Sequence, residues 1–356
     1  MSPDLSENQS SNHLKAKVAL AGIATLILLI GGGTTALVLK HKNPKTAVTR
    51  EEAQVQTKKA VPPVQSQPSS KPTNSPNKVP ASTAPVSPTN CYQVAGASTR
   101  STTDLPDDNS GYQIHLLYIL PSDGVDHMYD INGSIAKSVS AWQNWLCNQT
   151  GGKTLRLDMR NGVLDVTFIR LNASDNTIKT GSELPWSTDP NNNPYVREDI
   201  ERRIIALGFT DPHKLYAAYY DGTSNHSCGG GAWPPTIASH FAAEYMHGGD
   251  PAYPNCETNH LATNIASPGY FDFDILHEIM HTLGFVATCA PHHNWGGHVG
   301  DNARDLMQAG QDWGISQGLL LDPGRDDYYA TGNSSCLDLA NSAFLTNGGS
   351  QLPPKW

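Results

Sequence analysis

The chain has 356 residues, a formal net charge of −9 at pH 7 and 38% hydrophobic residues. Residues 1–90 contain no Phe, Trp, Tyr or Cys and carry ten Lys/Arg against four Asp/Glu, whereas 91–356 hold all six cysteines and 14 Lys/Arg against 29 Asp/Glu. A core before residue 91 is therefore excluded, and the acidity of the remainder excludes nucleic acid as its main partner.

Residues 1–17 read as a short cytoplasmic N-terminus. Val18–Leu39, VALAGIATLILLIGGGTTALVL, is an uncharged run of 22 residues, long enough for a helix to cross a bilayer. It reads as an uncleaved transmembrane signal anchor. A cleaved signal peptide is the rival reading, but no clear small-x-small site closes the apolar run. Lys15 and Lys17 precede the run, and Lys40, Lys42 and Lys45 follow it. Charge alone thus slightly favours the C-terminal side inside. The cysteines argue the other way: six in no compact CxxC pattern suit disulfides and an oxidising exterior. The expectation is a single-pass protein of the cell membrane with its folded part extracellular. Residues 40–90 hold nine prolines among Ser, Thr, Lys and Gln and read as a disordered linker.

The folded part, 91–356, opens with a strand over 112–120, ended by Pro121. Helical spacing of Ile135, Val139, Trp142 and Leu146 predicts a helix over 131–147. Strands follow at 155–157 and 163–171, around the turn Arg160-Asn161-Gly162. An amphipathic helix over 197–207 stops at Gly208, and a strand follows at 214–220. A long irregular stretch then carries Cys228, Gly229–Gly231 and Cys256. Cys228 with Cys256 is one of fifteen sets of pairings that six cysteines allow. This order predicts an α+β domain, a twisted sheet packed on helices.

Residues 271–285, FDFDILHEIMHTLGF, predict the next helix. Asp272 or Asp274 can cap its start. Leu276, Met280 and Leu283 share one face; His277, His281 and Gly284 share another. Residues four apart lie one above the other, so both imidazoles can grip one metal ion. Glu278 is turned about 100° from His277 and can reach a metal-bound water without binding the metal. Gly284 ends the helix cheaply. A zinc site needs a third protein ligand plus an open position. The downstream run VATCAPHHNWGGHVGDNARDLM offers His298, flanked by glycines, with His292 and Asp301 as alternatives.

HEIMHTLGF, then a glycine-flanked His298, then Met307 in a DLM turn, resembles the metzincin-like branch of the zincin metalloproteases and is similar to secreted microbial zinc proteases. The resemblance implies a zincin-like catalytic domain with one catalytic zinc on His277 and His281. It also implies Glu278 as general base and a methionine turn at Met307 beneath the metal. Two positions depart from the pattern. Ala287 stands where the usual third histidine falls, and Ala309 where many relatives carry a Tyr two residues after the Met. Tyr328, Tyr329 and His293 are substitutes for the oxyanion-stabilising group.

The expected activity is a membrane-anchored extracellular zinc endopeptidase acting on protein or peptide. The rivals are a cell-surface zinc-binding or adhesion domain without catalysis, and a zinc hydrolase of cell-wall peptides. Asp322, Asp326 and Asp327 in LDPGRDDYY form a candidate structural calcium set.

Overall fold

The computed structural model describes residues 90–184, 195–234, 237–249, 256, 261–308, 315–354 and 356. The expected anchor, the linker before residue 90, and Ala309 lie outside the described residues. Among the described residues, no helix is long and apolar enough to cross a membrane.

The strands are β1 Ala95–Gly96, β2 Gln113–Leu120, β3 Met159–Arg160, β4 Val163–Leu164, β5 Val166–Arg170, β6 Lys214–Ser224, β7 Gly229–Gly230, β8 Phe241–Gly248, β9 His293–Asn294 and β10 His298–Val299. The helices are α1 Ser134–Thr150, α2 Asp175–Thr180, α3 Tyr195–Ala206 and α4 Tyr270–Thr282. The architecture is mixed α and β. Its main sheet has five strands in the order β5-β2-β6-β8-β7. All neighbours run parallel except β7, which pairs antiparallel with β8 at the edge. Parallel neighbours require crossovers, and α1 joins β2 to β5 while α2 and α3 lie between β5 and β6.

The sheet is buried on both faces. On β2, Ile114, Leu116, Tyr118 and Leu120 join the core that includes residues of α1 and α4. Leu117 and Ile119 join the core that includes residues of α2 and α3. This is why β2 reads as a continuous apolar run rather than an alternation. On α4, Ile275, Leu276, Ile279 and Met280 are fully buried, each stabilising by about 1.5–3 kcal/mol. The helix that carries HEIMH is thus seated in the core.

The expected helices and the strands at 112–120 and 214–220 fall within a few residues of observed elements, whereas α2 and the two-residue strands β1, β3, β7, β9 and β10 were not expected; three further differences stand out. The strand expected at 155–157 is absent as a strand and makes only isolated bridges, Ile114 with Leu157 and Leu155 with Leu345. The strand expected at 163–171 is split into β4 and β5. The irregular stretch contains β8, whose alanines and two-sided burial gave no period-2 signal. Three disulfides join Cys91–Cys147, Cys228–Cys256 and Cys289–Cys336, and among the described residues no cysteine is free.

Candidate metal centre and active site

Helix α4 starts after Gly269, where Asp272 Oδ2 accepts the Gly269 N–H at 2.6 Å. Asp272 therefore fills the capping role; Asp274 instead lines the cleft beside Glu278. The helix ends as expected. Gly284 takes φ +80°, and its N–H donates to the His281 carbonyl at 2.8 Å, a left-handed position that glycine adopts without strain.

The chain then turns back through Val286, whose φ of 56° is unusual for a β-branched residue. The Val286 carbonyl accepts from His293 Nδ1 at 2.8 Å. This leads into the short hairpin β9–β10, which presents His298 to α4. The hairpin needs its glycines. Gly297 has φ +82°, and a Cβ there would lie 2.5 Å from the Trp233 ring. Trp233 in turn stacks on His293 at 5.3 Å.

The structure brings His277, His281 and His298 together, with one ligand atom from each lying within 4.8 Å of the others. His292 and Asp301 are not in this group; they belong to a separate cluster. His277 Nδ1 lies 2.7 Å from the Leu306 carbonyl, and His298 Nδ1 lies 2.8 Å from the Trp295 carbonyl. A carbonyl only accepts, so both protons sit on Nδ1 and both Nε2 atoms offer lone pairs. His281 Nε2 lies 3.1 Å from His298 Nε2. Ligands about 2.05 Å from a tetrahedral zinc stand ~3.3 Å apart, so the spacing fits a shared ion. His281 Nδ1 has no hydrogen-bond partner.

Burial pushes His277 down to about 3, with His298 adding to the effect. Burial also pushes His281 well below the usual range and lowers His298. All three are therefore neutral at pH 7, the form that binds metal. Burial and then the Asp274 carboxyl hold Glu278 well above the ordinary carboxylate range, while a bond from the Gly231 N–H pulls the other way. Burial lifts Asp274 to about 8.

These groups line a cleft of about 690 Å³, with Gly229–Gly231 and Tyr270 in its wall. Trp295 stands at its edge, 81% exposed. A Cβ at Gly229 would lie 2.5 Å from Glu278 Oε1 and 2.6 Å from Asp274 Oδ2. The glycine run is therefore what admits both carboxyls. Tyr270, Asp274 and Trp295 were not singled out as cleft residues from the sequence. The glycine triplet was the one available signal, since glycine in a strand marks a close approach.

Other expected residues fall elsewhere. Met307 is fully buried, and its carbonyl accepts the Val299 N–H at 3.0 Å. The residue before it, Leu306, is the one whose carbonyl accepts from His277 Nδ1. Tyr328 donates to Asp305 at 2.8 Å and Tyr329 to the Thr150 carbonyl at 3.1 Å. Neither they nor His293 line the cleft, which corrects their expected oxyanion role. Asp322, Asp326 and Asp327 come together, with ligand atoms within 4.8 Å of one another, and Asp322 has a second role. Its carboxylate accepts the backbone N–H groups of Asp326, Asp327, Tyr328 and Tyr329.

No family model matches the chain, and no curated protein matches it. Among solved structures it is similar to wild-type OgpA from Akkermansia muciniphila, at 12% identity and TM-score 0.35, over 67% of this chain and 63% of that one. It is similar to archaemetzincin from Methanopyrus kandleri, at 10% identity and TM-score 0.30, over 61% of this chain and 93% of that one. It is also similar to catalytically inactive OgpA in complex with an O-glycopeptide substrate, at 12% identity and TM-score 0.32, over 67% of this chain and 62% of that one. The chain thus covers less than two thirds of the OgpA chain.

Proposed function

We propose that residues 91–356 form a metzincin-like zinc endopeptidase, held outside the cell membrane by the segment at 18–39 and the linker at 40–90. The observation that carries the catalytic reading is the convergence of three neutral imidazoles beside a buried carboxyl in an open cleft. Three disulfides support the extracellular placement.

His277, His281 and His298 would hold the zinc. When bound, zinc acidifies water and polarises the scissile carbonyl. Glu278 lies one residue after His277, 8% exposed. Its raised proton affinity suits it to take the proton of the attacking water and deliver it to the leaving amine. The Gly231 N–H orients that carboxyl. Gly229–Gly231 leave the cleft wall free of side chains, so an extended peptide can approach Glu278 closely. Tyr270 supplies the phenol in the wall and is assigned the oxyanion donor role.

The test is hydrolysis of a casein-like protein and of purified cell wall by the full chain. The reading expects cleavage of the protein substrate, abolished by a chelator and restored by zinc. Cleavage of cell wall alone would move the substrate to cell-wall peptides. A folded, zinc-loaded protein that cleaves neither would favour the non-catalytic surface domain.

A further inference from the structure

A second cluster of metal-binding side chains lies beside the hairpin that carries His298. His292 Nδ1 stands 3.1 Å from Asp327 Oδ2, 3.7 Å from Asp326 Oδ2 and 3.9 Å from Asp301 Oδ2. One ring N–H can point at only one of three carboxylates. A cation can meet His292, Asp301 and Asp327 together, because their ligand atoms lie within 4.8 Å of one another. The separations bracket the ~3.3 Å expected between neighbouring ligands of a tetrahedral zinc.

The charge balance points the same way. Among the described residues, no lysine or arginine pairs with Asp301, Asp326 or Asp327. Asp327 is 2% exposed, and its Oδ2 has no partner outside the cluster. Buried carboxylates are stable when paired or when they hold a metal. Asp322 fixes the loop that presents Asp326 and Asp327 by accepting their backbone N–H groups.

We propose that His292, Asp301 and Asp327 bind a second divalent cation of the zinc class, and that this ion clamps the hairpin that carries His298. The mixed imidazole and carboxylate set favours zinc over calcium. The position gives the ion its role. His292 immediately precedes β9, Asp301 follows two residues after β10, and the His292 carbonyl accepts the Gly300 N–H at 3.0 Å. A cation held by both ends closes the base of the hairpin and fixes His298.

The experiment is zinc titration of the chelator-stripped full chain, with metal content measured after desalting. Wild type is expected to keep two zinc ions. His281→Ala and Asp301→Asn should each keep one, and the double variant none. His292→Gln should weaken the second site at least ~10-fold. One zinc in wild type with an unchanged count in Asp301→Asn overturns the proposal, as does one zinc retained by the double variant. If His281→Ala does not fold, wild type against Asp301→Asn decides, because Asp301 is partly exposed. None of these readouts uses peptidase activity, so failure of the catalytic reading is seen separately.

Discussion

Gly231 abuts both Glu278 and His281, so Gly231→Ala tests how tightly the cleft wall is built. An added Cβ would lie 2.5 Å from the Glu278 carbonyl oxygen, 2.7 Å from His281 Cβ and 2.9 Å from Glu278 Oε2. Ordinary contact begins at 3.4 Å, so the shortest approach is about 0.9 Å too close. The helix side cannot give way easily. Thr282 Oγ1 donates to that same carbonyl at 3.0 Å and accepts the Ala232 N–H at 3.0 Å. Strand and helix are tied together one residue beyond the clash. The wall must therefore move by most of an ångström. Overpacking of this kind costs about 1–3 kcal/mol, offset by roughly 0.4–1 kcal/mol from a stiffer unfolded chain. A displacement near 1 Å at a catalytic group costs on the order of 10²-fold in rate. The assay is kcat/KM on a peptide substrate beside thermal melting. Gly111→Ala, whose Cβ meets nothing within 4 Å, is the control. A Gly231→Ala protein with the control's kcat/KM and melting temperature would refute the argument.

Two stability predictions come from buried ionisable groups. Glu244 on β8 is fully buried with neither carboxylate oxygen partnered, and burial raises its pKa well above the ordinary value. The native state thus keeps a proton that the unfolded chain loses near pH ~4.3. Stability from this group is full below that pH and is lost as pH rises toward the folded pKa. Glu244→Gln should therefore raise the melting temperature at pH 8 and change it little at pH 4; the reverse order would contradict this. Lys214 Nζ bonds Asp104, Asp107 and Asp158 at 2.7 Å each, and Asp158 is fully buried. Lys214→Met should cost about 3–5 kcal/mol by leaving Asp158 without its ammonium, read by denaturant unfolding at pH 7. A loss under 1 kcal/mol would show that His115, 2.6 Å from Asp158, suffices alone.

Local features were legible and tertiary ones were not. HEIMH declares its geometry because residues four apart on a helix must share a face. Gly284 as the stop and Asp272 as the cap are equally local. His298 could be ranked above His292 and Asp301 through its glycine neighbours, since Gly296 and Gly297 both take positive φ. Its arrival at His281 depends on a hairpin braced by Trp233, more than 60 residues earlier, and no periodicity encodes that. β8 was missed because FAAEYMHG fills its buried positions with small alanines and Glu244 rather than with the apolar run that reveals β2. Tyr328 and Tyr329 were misassigned because their partners, Asp305 and Thr150, are distant in sequence. The candidate calcium loop was visible as three aspartates. Only the fold shows that Asp322 also accepts backbone N–H groups, and that Asp327 lies within reach of His292 and Asp301 as well.

The most direct test of the central claim is Glu278→Gln beside His298→Ala, each assayed for zinc content and turnover. The account predicts that Glu278→Gln keeps the zinc count of wild type and loses at least ~10²-fold in kcat, the scale of a general base. It predicts that His298→Ala loses one zinc and the activity with it. Full turnover in Glu278→Gln would remove the general base from the mechanism. An unchanged zinc count in His298→Ala would remove the third ligand.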